Sequence, residues 1–229
     1  MIDAYSEKIG DVVMDEPHNI VNTVFPSTPS EVERLDVSRV DENPLFLLRT
    51  WLSYVVSIGA IEPAYVTLAT ASLAGVPSSR TVQLLDVERS ALLFSTNFGS
   101  RKGMEMLETG RAAVSIYWRE TAQSINATGS IVVADDVEND RRFAEENRAI
   151  QAARTVSFQG RVLDDEAGQL ARFFELTEAE TPLVRPDYWK WFRLVPDAVT
   201  FWEGRSEALN RRLHYAMGTE GWSRYPIEA

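Results

Sequence analysis

The chain has 229 residues, of which 45% are hydrophobic, and carries a formal charge of -11 at pH 7 with no cysteine and two histidines. This is the profile of a globular protein with a sizeable core, more simply one domain than two; disulfides and thiolate metal sites are excluded, and a histidine metal site or a broad nucleic-acid or anionic-membrane surface is disfavoured. No apolar run approaches the roughly 18 residues of a membrane span, and the N-terminus lacks the basic-then-apolar order of a signal peptide, so a cytoplasmic protein is expected.

Residues 1–43 hold ten Asp or Glu against Lys8, Arg34 and Arg39, with Pro17, Pro26 and Pro29. They show little hydrophobic periodicity, and an extended or partly disordered arm is expected ahead of one domain over 44–229. Pro44 then opens PLFLLRTWLSYVVSIG, where Leu45, Leu48, Leu52 and Val55 fall at helical spacing, so an amphipathic helix should end near Gly59. From Tyr65 to Ala134 the period becomes two, in AYVTLATASLAG, SSRTVQLLDVE, ALLFSTN, AAVSIYW and AQSINATGSIVVA, interrupted by one helix in SRKGMEMLETG. In AAVSIYW, Val114, Ile116 and Trp118 should face one way, and Ala113, Ser115 and Tyr117 the other. DVENDRRFAEENRAIQAAR and DDEAGQLARFFELTEAE read as helices around a loop at Ser157 to Gly160. DYWKWFRLVPDAVTFWEG and RRLHYAMGTEGWSRYPI close the chain as strands. The order predicts an α+β fold dominated by an antiparallel barrel with flanking helices.

Walker, Rossmann, HExxH and GxSxG motifs are absent. What remains is GSRKG, where a helix N-terminus and its dipole favour an anion, and Ser100, Arg101 and Lys102 add donors. The alternative is an exposed basic first turn that balances nearby acids. Arg80, on a strand otherwise suited to burial, needs a partner for its charge: a ligand or a structural salt bridge. In FWEGRSEALNRR an aromatic plane and a guanidinium lie one short excursion apart, although a Trp at a strand end is most often core.

Together, PAYVTLATASLAGVPSSRTVQLL, LLFSTNFGSRKGMEM, AAVSIYW and VTFWEG, followed by Arg212, Tyr215 and Trp222, resemble the pyridoxamine 5'-phosphate oxidase family of FMN-binding split barrels. The resemblance implies a homodimer with FMN across the subunit interface. It places FMN contacts at Arg80 to Leu85, including Thr81 and Val82, at Ser95 and Thr96, and at Arg101 and Lys102 for the phosphate. Further contacts are implied at Gln123 or Ser124, Gln159, Gly160, Trp202 and Arg212. The flavin would do the redox work while the protein orients it.

The substrate side departs from the vitamin B6 enzymes. The family's Lys five positions after Arg80 is Leu85, and its Arg-x-His after FWxG falls on Ala208 and Asn210. The RLH at Arg212 to His214 would need a four-residue insertion. The family's substrate-phosphate Tyr, Arg and Ser fall on Arg142, Glu146 and Ile150, and an acid there would repel a phosphate. The branch of phenazine-biosynthesis flavin oxidases also lacks that Lys, and its YWRES-x-Q segment resembles YWRETAQ at Tyr117 to Gln123, although that branch generally keeps an RLH after FW that this chain does not keep at the matching spacing. The expectation is therefore an FMN-dependent oxidase of a dihydrophenazine-type carboxylate, with O2 as acceptor and H2O2 released. Arg142, Asn210 and His214 are candidates for substrate contact, and no catalytic acid or base is named. The alternatives are a pyridoxamine or pyridoxine phosphate oxidase with an unusual site, and a flavin- or haem-binding split barrel without turnover.

Overall fold

A computed structural model describes residues 26–32, 34–206 and 208–228, so His18 and the acidic start of the arm lie outside the described residues. Five helices and nine strands follow in the order α1 (Pro44–Ser57), β1 (Tyr65–Ala71), β2 (Pro77–Gln83), β3 (Asp86–Val87), β4 (Leu92–Asn97), α2 (Arg101–Thr109), β5 (Arg111–Trp118), β6 (Gln123–Val133), α3 (Asp136–Ala144), α4 (Arg148–Val156), α5 (Glu166–Glu178), β7 (Trp189–Glu203), β8 (Arg211–Gly218) and β9 (Gly221–Ile227). None of the described helices is long and apolar enough to cross a membrane.

One antiparallel sheet runs β2-β1-β5-β6-β7-β4-β3, with β8 and β9 added beside β7. The branching follows from the length of β7. Its first half pairs with β4, from Trp189↔Asn97 to Leu194↔Leu92, its second half pairs with β8, from Ala198↔Ala216 to Glu203↔Arg211, and β6 runs along both halves. The register of β6 on β7 slips between Thr128 and Gly129, where a Cβ on Gly129 would sit 2.1 Å from the Val195 carbonyl oxygen. The sheet curls into an antiparallel half-barrel with helices at its flanks, the fold expected.

The alternation predicted for β5 holds: Val114, Ile116 and Trp118 are buried, while Ser115 and Tyr117 are exposed. Leu45, Leu48, Trp51 and Val55 of α1 join Leu68, Phe94, Phe192, Val199 and Phe201 in the main core, with Trp51 edge-on to Phe201 at 5.1 Å between centroids. Residues 26–32 and 34–43 carry no helix or strand, and several of them lie against the barrel. Leu35 N donates to the fully buried Glu203 at 2.7 Å, and the Tyr215 hydroxyl donates to the Asp41 carbonyl at 2.9 Å.

Two local expectations are corrected. The segment SSRTVQLLDVE is not one strand: β2 ends at Gln83, and Leu84 and Leu85 turn the chain into β3, so Leu85 is off the strand that carries Arg80. The segment DVENDRRFAEENRAIQAAR is not one helix. It breaks at Glu145 to Asn147, where the Asn147 side chain accepts from Ile150 N and starts α4 afresh.

Candidate functional site

Strand β4 delivers Ser95 and Thr96, and the turn after it delivers Ser100, whose side chain caps α2 by accepting from Gly103 N. A Cβ on Gly103 would lie 2.3 Å from the Phe98 carbonyl oxygen, so glycine lets α2 start tight against this turn. The N–H groups of Arg101 and Lys102 open the helix without intrahelical acceptors, and no acid stands in the first turn.

The side chains around this start form a connected set. Lys102 Nζ donates to Gln159 Oε1 at 2.7 Å and to Ser100 Oγ at 3.1 Å, and Thr96 Oγ1 donates to the same Gln159 oxygen at 2.9 Å. Arg80 donates to Thr70 Oγ1 at 2.7 Å and Ser78 Oγ at 2.6 Å, with its Nη2 3.7 Å from Glu105 Oε2. Arg101 Nε is 2.8 Å from Glu105 Oε1. Arg80 therefore has a structural salt bridge, and Arg101 balances a nearby acid, as the plainer readings of both expected. Two of the three cations nevertheless share one carboxylate, and Lys102 bonds only to Gln159 and Ser100, which leaves the cluster positive.

Electrostatics agree with an anion site. Burial, and secondarily Arg80, pull the Lys102 ammonium down to about 8, a cost that a bound anion would relieve. Hydrogen bonds from Ser78 and Thr70, with help from Arg101 and against burial, hold the Glu105 carboxyl at about 2. The donors that fit a phosphate dianion such as that of FMN are the Arg101 and Lys102 side chains and the N–H groups of the helix start, while the Ser100 hydroxyl donates to the Asn97 carbonyl and the Thr96 hydroxyl to Gln159.

A cavity of about 290 Å³ adjoins this cluster, lined by Gln83, Leu85, Ser95, Arg154, Gln159 and Trp189 among others. Sequence reasoning missed Arg154. Its Nη1 donates to Ser95 Oγ at 2.9 Å, its Nη2 pairs with Glu146, and its guanidinium lies 4.5 and 5.0 Å from the ring centroids of Trp189 and Trp191. Burial pushes the Glu146 carboxyl up to about 7 against the pull of Arg154, and burial draws Arg154 down to about 10. The available signal was the four-residue spacing of Ile150 and Arg154, which puts both on the cavity side of α4.

Ser124, Trp202 and Arg212 lie elsewhere. Register aligns Ser124 with Trp202 and Trp202 with Arg212, and the three line a cleft of about 550 Å³ with Tyr117, Asn126 and Thr200. Of the pair left open, Ser124 lines this cleft, while Gln123 is buried and its Nε2 has no partner among the described residues. The predicted flavin residues thus form two sets, one around α2 and one on β6, β7 and β8. Thr81 is on the exposed face of edge strand β2, Val82 packs against the core, and Gly160 lies in the loop after α4 with φ +89.

The three substrate candidates are not brought to the 290 Å³ cavity. Arg142 is in an ion-pair network with Glu88, Glu138 and Arg193. Asn210 Oδ1 accepts from Arg205 N at 2.9 Å in the β7–β8 loop. His214 Nδ1 lies 2.9 Å from Thr200 Oγ1, on the face of the second cleft. No group of three metal-ligating side chains occurs among the described residues.

The family model described as pyridoxamine 5'-phosphate oxidase matches residues 60–177. A pyridoxine/pyridoxamine 5'-phosphate oxidase of Paraburkholderia phymatum is 35% identical over 192 residues, covering 82% of this chain and 90% of that protein. A dihydrophenazinedicarboxylate synthase of Pseudomonas chlororaphis is also 35% identical, over 180 residues, covering 79% of this chain and 81% of that protein. The crystal structure of PhzG from Burkholderia lata 383 in complex with tetrahydrophenazine-1-carboxylic acid superposes with a TM-score of 0.83 at 31% identity, covering 87% of this chain and 98% of that one.

Proposed function

The chain belongs to the pyridoxamine 5'-phosphate oxidase family, and from that premise we propose that it is an FMN-dependent oxidase of a reduced heteroaromatic carboxylate of dihydrophenazine type. The observation that carries the cofactor is the convergence of Arg80, Arg101, Lys102, Thr96 and Gln159 at the start of α2, beside a cavity large enough for part of a planar ligand. When bound, FMN supplies a two-electron acceptor that O2 regenerates with release of H2O2. The chain's own part is to hold the phosphate end at α2, to present Leu85, Ser95 and Gln159 to the flavin along one side of the cavity, and to orient the substrate against Ile150, Arg154 and Trp189 along the other.

The two separate residue sets support a homodimer in which one copy supplies the α2 set and the other supplies Ser124, Trp202 and Arg212. The substrate side favours the phenazine branch over the vitamin B6 branch. Leu85 stands where the B6 enzymes place a lysine, and Glu146 stands where they place a phosphate-binding arginine. Equal 35% identity to relatives of both names keeps pyridoxine 5'-phosphate oxidation as the second reading.

Oxygen uptake by the FMN-loaded protein separates the two. Turnover of a reduced phenazine carboxylate, with little turnover of pyridoxine 5'-phosphate, is expected; comparable turnover of both contradicts the branch assignment.

A further inference from the structure

Resting on the phenazine-carboxylate reading, we infer that Arg154 anchors the substrate's carboxylate in the 290 Å³ cavity and that Glu146 occupies its guanidinium until the substrate arrives. Three observations meet here. Arg154 lines the cavity, although its side chain is only 11% exposed, and the Trp189 and Trp191 rings, with the Ser95 hydroxyl, hold its guanidinium in place. An arginine so held presents a preorganised fork that suits a planar carboxylate.

The second observation is an unused donor. Trp189 lines the same cavity, is 6% exposed, and its Nε1–H has no acceptor among the described residues. Buried indole N–H groups normally find a partner. A carboxylate seated on Arg154 would bring an acceptor into this cavity, while Leu85 and Ile150 offer apolar surface to a ring system.

The third is the incompleteness of the resting pair. Glu146 Oε2 is buried without a hydrogen-bond partner, so only one of its oxygens is used. A buried ion pair kept for structure alone is weakly stabilising even when every lone pair is satisfied, and this one is not. Burial already pushes the Glu146 carboxyl up to about 7, which lowers the cost of surrendering the guanidinium to another carboxylate.

The test compares two probes on FMN-loaded protein: phenazine-1-carboxylate and unsubstituted phenazine, followed by quenching of flavin fluorescence. Wild type should bind the carboxylate about tenfold or more tightly than phenazine, the size expected for a charge-assisted anchor. Arg154→Met should bring the two affinities to within about twofold, and Glu146→Gln should tighten the carboxylate while leaving phenazine unchanged. Arg154→Met leaves Glu146 without its partner, so the double variant Arg154→Met/Glu146→Gln repeats the comparison with both charges removed, and its flavin spectrum reports folding. A carboxylate preference that survives in the folded double variant overturns the inference and leaves the phenazine reading standing. Wild type that binds neither probe rejects the phenazine reading and the inference with it.

Discussion

Lys102, in the first turn of α2, and Gln159, in the loop after α4, are joined by a 2.7 Å hydrogen bond across 57 residues of sequence. It ties the anion-facing helix start to the loop that borders the neighbouring cavity. Because burial and Arg80 hold Lys102 at about 8, a bound phosphate should raise its pKa, and binding above that pH should require uptake of a proton. FMN affinity should therefore be level between about pH 7 and 8, where the phosphate monoester, with its second pKa at about 6, is already a dianion, and should fall as pH rises above 8. Lys102→Met should weaken binding by about tenfold to a hundredfold at pH 7 and remove this alkaline fall. Fluorescence titration with FMN from pH 6 to about 9.5 measures both.

Glu105 is the acid on which the cluster is built, 4% exposed, and it accepts from Thr70, Ser78 and Arg101. Its carboxyl is lowered from 4.5 to about 2, so its contribution to stability is complete above pH 4.5 and is lost as pH falls toward 2. Glu138, also held at about 2 by Arg193 first and then Arg142, shares that window. Glu105→Ala should cost about 3–5 kcal/mol at neutral pH, because it leaves Arg80 partly buried without its carboxylate. Glu105→Gln should flatten part of the stability loss between pH 4.5 and 2 in urea unfolding.

Gly103 bears on the geometry of the same helix start. A methyl group there meets the Phe98 carbonyl oxygen at 2.3 Å, and neither backbone can yield without shifting the first turn. Gly103→Ala should destabilise the fold by about 1–3 kcal/mol and weaken FMN binding, despite alanine's better helix propensity. Thermal unfolding with and without FMN separates the two effects.

Much of this arrangement was legible in the chain. Alternation in AAVSIYW predicted the buried and exposed faces of β5, and GSRKG predicted a helix start carrying two cations, which is where α2 begins. Other features are tertiary and have no local signature. Glu105 reads as one more acid of an amphipathic helix until β1 and β2 bring Thr70, Ser78 and Arg80 to it. Asn147 carries no Glu or Gln three residues later, so its cap, and with it the break between α3 and α4, escaped notice. That break precedes the helix that carries Arg154 to Ser95 and to the two tryptophans.

The shared-site proposal is testable by complementation. A variant lacking Arg101 and Lys102 and a variant lacking Trp202 and Arg212 should each bind little FMN. In mixed dimers one of the two sites recovers every residue, so flavin content should rise to about half of the wild-type value per heterodimer. A site built within one chain would recover nothing, as absorbance of the isolated heterodimer would reveal.

The most direct measurement is the dissociation constant of FMN for wild type and for Arg101→Ala/Lys102→Ala. Phosphate recognition at the start of α2 predicts a yellow wild-type protein with one FMN per chain, and a loss of about a hundredfold or more in the folded double variant, with riboflavin binding less affected. Unchanged FMN affinity in the folded double variant, or no flavin binding by wild type, would contradict the account.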